Sequence, residues 1–145
     1  MAAMRARGPS VIEEEPPVRQ PMLTVQAGQS ILVRVGAVDR NSGIGEIVTH
    51  CRSCENHELA TTGRWLPGDA PSSVSGNYYP VLLTIPENSP TVIWEVHRIV
   101  LCDREGNRRA YEAGAEFEHI LVQVLEKPGV DCTPPRLLGV RVSEA

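Results

Sequence analysis

Aromatic side chains make up only 4% of this sequence, and Phe117 is its single phenylalanine. An interior built mainly from rings is therefore excluded, and Val, Ile and Leu must fill the core. Those branched side chains suit a pleated, half-buried surface. Lysine is nearly missing: Lys127 stands alone among 14 basic residues. With a net charge of −4 and no basic cluster, no stripe of cations is available to track phosphates, so nucleic acid is not an expected partner. No apolar run approaches the roughly 20 residues that a membrane-spanning helix needs. Met1 to Pro21 lacks the apolar stretch of a secretory leader, which predicts a chain that is intracellular at some stage or has lost its leader. Also missing are a capped helical period, a nucleophile motif, a phosphate-cradling glycine loop and a helix-borne His-Glu-x-x-His. The chain reads as a non-enzyme without a cofactor.

What is present is a recurring period of two. At 145 residues, with 41% hydrophobic and 22% charged residues, the chain fits one domain with tails. Residues 1–21 read as an extended arm, because Glu13-Glu14-Glu15-Pro16-Pro17 neither buries apolar surface nor holds a helix. From Met22 to Lys127 the alternation predicts strands: Leu23–Val25 before the Gly28 turn, then Ile31–Val35. A turn cluster at Asp39–Gly43 leads into Ile44–Cys51. Further strands are expected over Tyr78–Ile85, Val92–Cys102, Arg109–Tyr111 and Phe117–Leu125. Residues 52–77 read as a long polar loop broken by Gly63, Pro67, Gly68, Pro71 and Gly76, either functional or holding a short strand near Arg64–Leu66. The expected class is all-β.

After Lys127-Pro128-Gly129 the segment 128–145 forms a linker and one more strand pattern, Leu137–Val142. Several spaced motifs over residues 22–125 then occur in a familiar order: Asp39/Ser42-Gly43-Ile44, Gly76-Asn77-Tyr78-Tyr79, Pro86 and Pro90, Trp94-Glu95-Val96, and Asp103/Gly106-Asn107. In these the chain resembles the immunoglobulin-like domains repeated in bacterial secreted and surface proteins. The resemblance implies an antiparallel, immunoglobulin-like β-sandwich, and says little about function, since such sandwiches host many roles. Two departures stand out. The Asp-x-Thr-Pro-Pro-x-Leu motif that opens such domains sits at the far end here, as Asp131 to Leu137. A His50-Cys51-Arg52-Ser53-Cys54-Glu55-Asn56-His57 segment replaces a plain strand-to-loop transition.

That segment has metal-ligand spacing, His50, Cys51, Cys54 and His57 being the types that grip zinc. Strand alternation, however, puts Cys51 on the face opposite His50 and into the core, where a thiol behaves as a small hydrophobe. No metal is expected; a disulfide among the four cysteines and ordinary thiols both stay open. Asp39, Asp103 and Asn107 are oxygen donors on adjacent turns, but three fall short of a calcium shell and each also serves its own turn. Trp65 with one of Tyr78 or Tyr79 would make a sugar-stacking platform, whereas Trp94 reads as a buried anchor. His97 and His119, flanked by glutamates, read as a solvated sheet face.

The reading reached from sequence is a structural or assembly subunit whose arm 1–21 and strand residues Leu137, Leu138, Val140 and Val142 dock on neighbouring chains. The strand is expected at a vacant first-strand edge beside Met22–Val25, on its own domain or on a neighbour, because an unpaired sheet edge offers a ready ladder of donors and acceptors. The stiff Pro134-Pro135 pair favours the neighbour. Self-association on a cell surface or in an assembled particle is the expected setting. The alternative is a ligand-binding module using loop 52–77 for a glycan or a metal.

Overall fold

The protein is described from a computed structural model, which defines residue 21 and residues 23–68 and 76–145. The arm expected over 1–21 thus lies, but for Pro21, outside the described residues.

Eight strands follow one another: β1 Leu23–Gln26, β2 Ser30–Gly36, β3 Ile44–Ser53, β4 Ala60–Trp65, β5 Tyr78–Thr84, β6 Val92–Asp103, β7 Arg108–Glu112 and β8 Ile120–Leu125. The larger sheet runs β1-β8-β6-β3-β4 with β7 also on β6, and the smaller pairs β2 with β5. All pairs are antiparallel except β1 with β8. This is the strand order of an immunoglobulin-like sandwich: β8, β6, β3 and β4 stand where strands G, F, C and C′ do, and β2 and β5 where B and E do. The all-β, antiparallel sandwich expected from the sequence is what the chain forms.

Alternation decides which residues meet between the sheets. Ile47, Thr49, Cys51 and Ser53 of β3 point inward with Trp94 and Val96 of β6, and Val81 and Leu83 of β5 close over them. Burying each large aliphatic side chain contributes about 1.5–3 kcal/mol, so this layer supplies most of the cohesion. All four cysteines are free thiols, so packing and hydrogen bonds, rather than a disulfide, hold the two sheets together. Trp94 is fully buried and its indole Nε1 donates to Ser89 Oγ at 2.9 Å, as the sequence led one to expect of an anchor.

Three elements differ from the sequence reading. The stretch 52–77 holds a strand, as one of its two readings allowed, but β4 spans Ala60–Trp65 rather than Arg64–Leu66, and β3 continues to Ser53. Gly63, read as a loop breaker, is the buried centre of β4, where the chain passes directly against the Leu82 carbonyl of β5. Glycine inside a strand is expected where another backbone approaches this closely. Phe117 is not in the last strand either. Glu112 to Phe117 make a tight turn, with Gly114 N–H donating to Phe117 O at 2.7 Å, and β8 begins at Ile120.

That turn exists because β7 and β8 share one side of β6. β8 pairs with Val92–Val96 and β7 with Arg98–Cys102. The residue between them, His97, is skipped in the pairing with β3, where the register jumps from His50↔Arg98 to Cys51↔Val96. Such a bulge re-aims a side chain and often marks a functional surface.

Candidate functional site

The segment that the sequence assigns to docking is well exposed. Leu137, Leu138, Val140 and Val142 are 78%, 87%, 78% and 94% exposed, and residues 131–145 form no strand with the rest of the described chain. Immediately before them the chain is tied down. Lys127 Nζ lies 3.1 Å from Glu87 Oε1, Cys132 Sγ donates to Ser89 O at 3.5 Å, and Asp131 Oδ1 accepts the Thr133 N–H at 2.9 Å. Asp131 to Pro135 border a hollow whose far wall includes Ser53, Asn56, Leu59 and Asn88. The tail therefore leaves from the side of the sandwich where β3 ends and β4 begins, with Pro134-Pro135 extending it as a stiff rod.

Along the outer edge of β2 the sandwich is open. Among the described residues β2 pairs only with β5, leaving the other edge of β2 facing β1 and β8 across a gap. Two adjoining hollows of about 450 and 330 Å³ fill that gap and share Val33, Arg34 and Ile120. Their walls are largely apolar, with Leu23, Ile31, Val122 and Phe117 among them and Glu116 as an acidic group. The hollows extend along β2 from Ile31 to Val38 just beyond it. The sequence reading identified the tail and expected a vacant first-strand edge beside the Met22–Val25 segment. Which strand bears that edge and which residues wall the groove depend on strand pairing, which is not written locally.

The Cys-His segment does not assemble as its spacing suggests. Cys51 is fully buried and desolvation pushes its thiol up to about 12. Cys54 is exposed, and its thiol too is raised, first by partial burial and then by Glu95. His50 points out on the other face, its ring centroid 6.1 Å from that of His97. Among the described residues no group of three or more His, Cys, Asp or Glu side chains is placed to hold a metal ion.

The structure instead gathers all four histidines around the outer face of the larger sheet. Glu95 is its centre, 3.1 Å from Arg52 Nε, 3.5 Å from His119 Nδ1 and 4.0 Å from His57 Nε2. His97 and His119 are not a plain solvated face: both are half-buried, His119 precedes β8, and His97 Nδ1 is sealed without a hydrogen-bond partner. Burial lowers the pKa of His97, with Arg52 and His50 adding to it. Burial and then Arg98 lower that of His50. The unfolded chain therefore takes up these protons first. Stability is complete above the ordinary 6.5 and declines as pH falls through it towards the folded-state values. The urea midpoint is expected to drop between pH 7.5 and 5.5, and to drop less in a His50→Gln/His97→Gln variant. Equal slopes in both proteins would show that these two imidazoles do not carry the effect.

Two further sequence candidates resolve into structural roles. Asp39 Oδ1 accepts the N–H groups of Asn41, Ser42 and Gly43 at 2.9–3.3 Å. Asp103 accepts from Glu105 and Asn107 backbone N–H and from Asn107 Nδ2, all at 2.9 Å, and the Asn107 side chain is foremost in holding its carboxyl below the usual range. Gly106, at φ 91°, lets this hairpin turn close. Both aspartates thus stabilise turns. The aromatic platform is a correction of a different kind. Trp65 is 7% exposed and packs edge-on to Tyr79 at 4.7 Å inside the sandwich, so its ring is not available to a sugar, and Tyr78 stands exposed without it.

No family model matches this chain, and no curated protein matches it. Among solved structures it is similar to the extracellular domain of the voltage-gated sodium channel beta4 subunit, described as forming parallel homodimers and acting in cell-cell adhesion. The identity is 18% and the TM-score 0.33, over 79% of this chain and 99% of that one. A likeness this distant carries no argument about function, and the fold assignment rests on the strand order itself.

Proposed function

We propose that the protein is a non-enzymatic interaction module, a structural or assembly subunit that joins neighbouring chains through its C-terminal segment. The observation that carries this is the tail. Four large aliphatic residues in six positions stand almost fully in water, beyond a segment that is hydrogen-bonded in place. Isolated exposed apolar residues are ordinary on a protein surface, but a contiguous apolar patch marks an interaction site. Extended backbone with alternating side chains is suited to strand addition, in which main-chain hydrogen bonds supply affinity and pockets for alternate side chains supply specificity. Residues 1–21 belong to the same reading as a second docking arm. A cell surface or an assembled particle, bacterial in line with the motif resemblance, is the setting in which such subunits serve.

The test compares the full chain with one ending at Val130 by sedimentation velocity over a range of concentrations. The full chain is expected to self-associate and the shortened chain to stay monomeric or lose solubility. The same assembly state and melting temperature in both would reduce the tail to a linker and remove the basis of the proposal.

A further inference from the structure

We infer that the open edge of β2, with the groove between β2 and the β1–β8 pair, is the acceptor for the tail residues Leu137–Val142 of a second copy of this chain. The inference rests on the tail being a docking element and names what it docks on. Three features of the molecule meet in it.

The first is pattern. In an extended strand Leu138, Val140 and Val142 share one face while Leu137, Gly139 and Arg141 share the other. From Leu138 to Val142 the first face is aliphatic, with Arg136 preceding it on the same side, and the groove it would fill is walled by Leu23, Ile31, Val33, Ile120 and Val122 together with Arg34. The opposite face carries a small residue and a cation, as befits an outer face with only one large apolar group.

The second is length and hydrogen bonding. β2 is seven residues long, Ser30 to Gly36, and Arg136 to Val142 is likewise seven. On its outer edge β2 presents backbone groups to no other strand among the described residues. A strand laid there satisfies them and covers Leu32, 41% exposed, and Leu23, 48% exposed, on its two flanks.

The third is where the tail stands, and it selects a second copy over the tail's own domain. Asp131 to Pro135 are held at one end of the sandwich, beside Ser53, Leu59, Pro90 and Val92. Leu137, Leu138, Val140 and Val142 beyond them stay 78–94% exposed while the groove stands open. A stiff Pro134-Pro135 pair opposes a sharp return to the chain's own edge, which leaves the groove to a neighbour's tail. Exchange in this sense links one chain's tail to the next chain's edge, and it builds either a closed ring or an open fibre according to the angle between copies.

Two full-length variants test the inference. Val140→Asp disables the tail, and Leu23→Arg, at an exposed position on the groove wall, disables the acceptor while leaving the core alone. Each is expected to be monomeric by sedimentation when alone. Mixed in equal amounts, they are expected to form a one-to-one heterodimer, since one supplies an intact tail and the other an intact groove. Circular dichroism on each variant confirms that both are folded. If Val140→Asp abolishes assembly but Leu23→Arg does not, the tail docks elsewhere; the acceptor is then wrong while the docking role of the tail stands. If the parent chain is monomeric and Val140→Asp lowers its melting temperature, the tail occupies its own groove and the inference falls. If Leu23→Arg lowers the melting temperature without changing the assembly, residues 1–20 of the same chain fill the groove, and the inference falls as well. If neither variant nor concentration changes the mass or the melting temperature, both the acceptor and the docking role are overturned.

Discussion

Replacing Trp94 by alanine is expected to lower stability by about 3–5 kcal/mol, the range for deleting a large buried aromatic. The indole is fully enclosed between the sheets, and with all four cysteines free no covalent link across the sandwich offsets the loss. Single domains are stable by only about 5–15 kcal/mol, so the change removes a large fraction of the margin and lowers the melting temperature by roughly 10 °C or more. The effect has two separable parts. Trp94→Phe keeps most of the ring but loses the N–H that donates to Ser89 Oγ. Ser89→Ala keeps the ring and orphans that N–H, at a cost of about 1–3 kcal/mol for a buried unsatisfied donor. Urea denaturation followed by circular dichroism measures all three. A Trp94→Ala midpoint equal to that of the parent would mean the side chain is not the inter-sheet anchor.

Trp94 was legible in the sequence because a strand position is decided by alternation, and Val92, Trp94 and Val96 fall in one phase. The same logic gave β2, β3, β5 and β6 nearly to the residue, and it put Cys51 inside and His50 outside. Where the reading failed, a long-range contact had overridden a local signal. Phe117 looks like strand by composition. Yet β6, at twelve residues, is shared along one side by two strands, and the chain must turn through Glu112–Phe117 to pass from one to the other. Trp65 looks like a loop aromatic until β4 is seen to pack it against Tyr79. The gathering of His50, His57, His97 and His119 was invisible for the same reason. Four positions spread over seventy residues meet only because β3 and β6 are neighbours, and no motif records that. The tail is the opposite case, since its strand pattern is plain in the sequence while the partner that would make it a strand is not part of the same pairing scheme.

Gly63 gives the sharpest test of such a contact. Gly63→Ala is expected to destabilise the protein by about 1–3 kcal/mol or more, as overpacking a close-fitted site does. The usual expectation for this substitution has the opposite sign. Where the backbone is compatible, glycine to alanine stabilises by about 0.4–1 kcal/mol by restricting the unfolded chain, and Gly63 is not among the positive-φ glycines. Here, however, a Cβ would fall within contact distance of the Leu82 carbonyl oxygen, 3.0 Å from its carbonyl carbon and 3.0 Å from Leu83 Cδ2. The backbone of β5 cannot rotate aside as a side chain would, because β2 fixes it on its other edge. To make room, β4 must lift, which loosens Trp65 from Tyr79 and breaks the Thr61 Oγ1 to Thr84 O bond of 3.0 Å. The control is Thr62→Ala, one residue earlier on the exposed face of the same strand, where a change within about 0.5 kcal/mol is expected. Equilibrium urea unfolding of the two variants decides the matter. Should Gly63→Ala match or exceed the parent's midpoint, β4 does not cross β5 at this distance, and the closure of the sandwich along that edge must be redrawn.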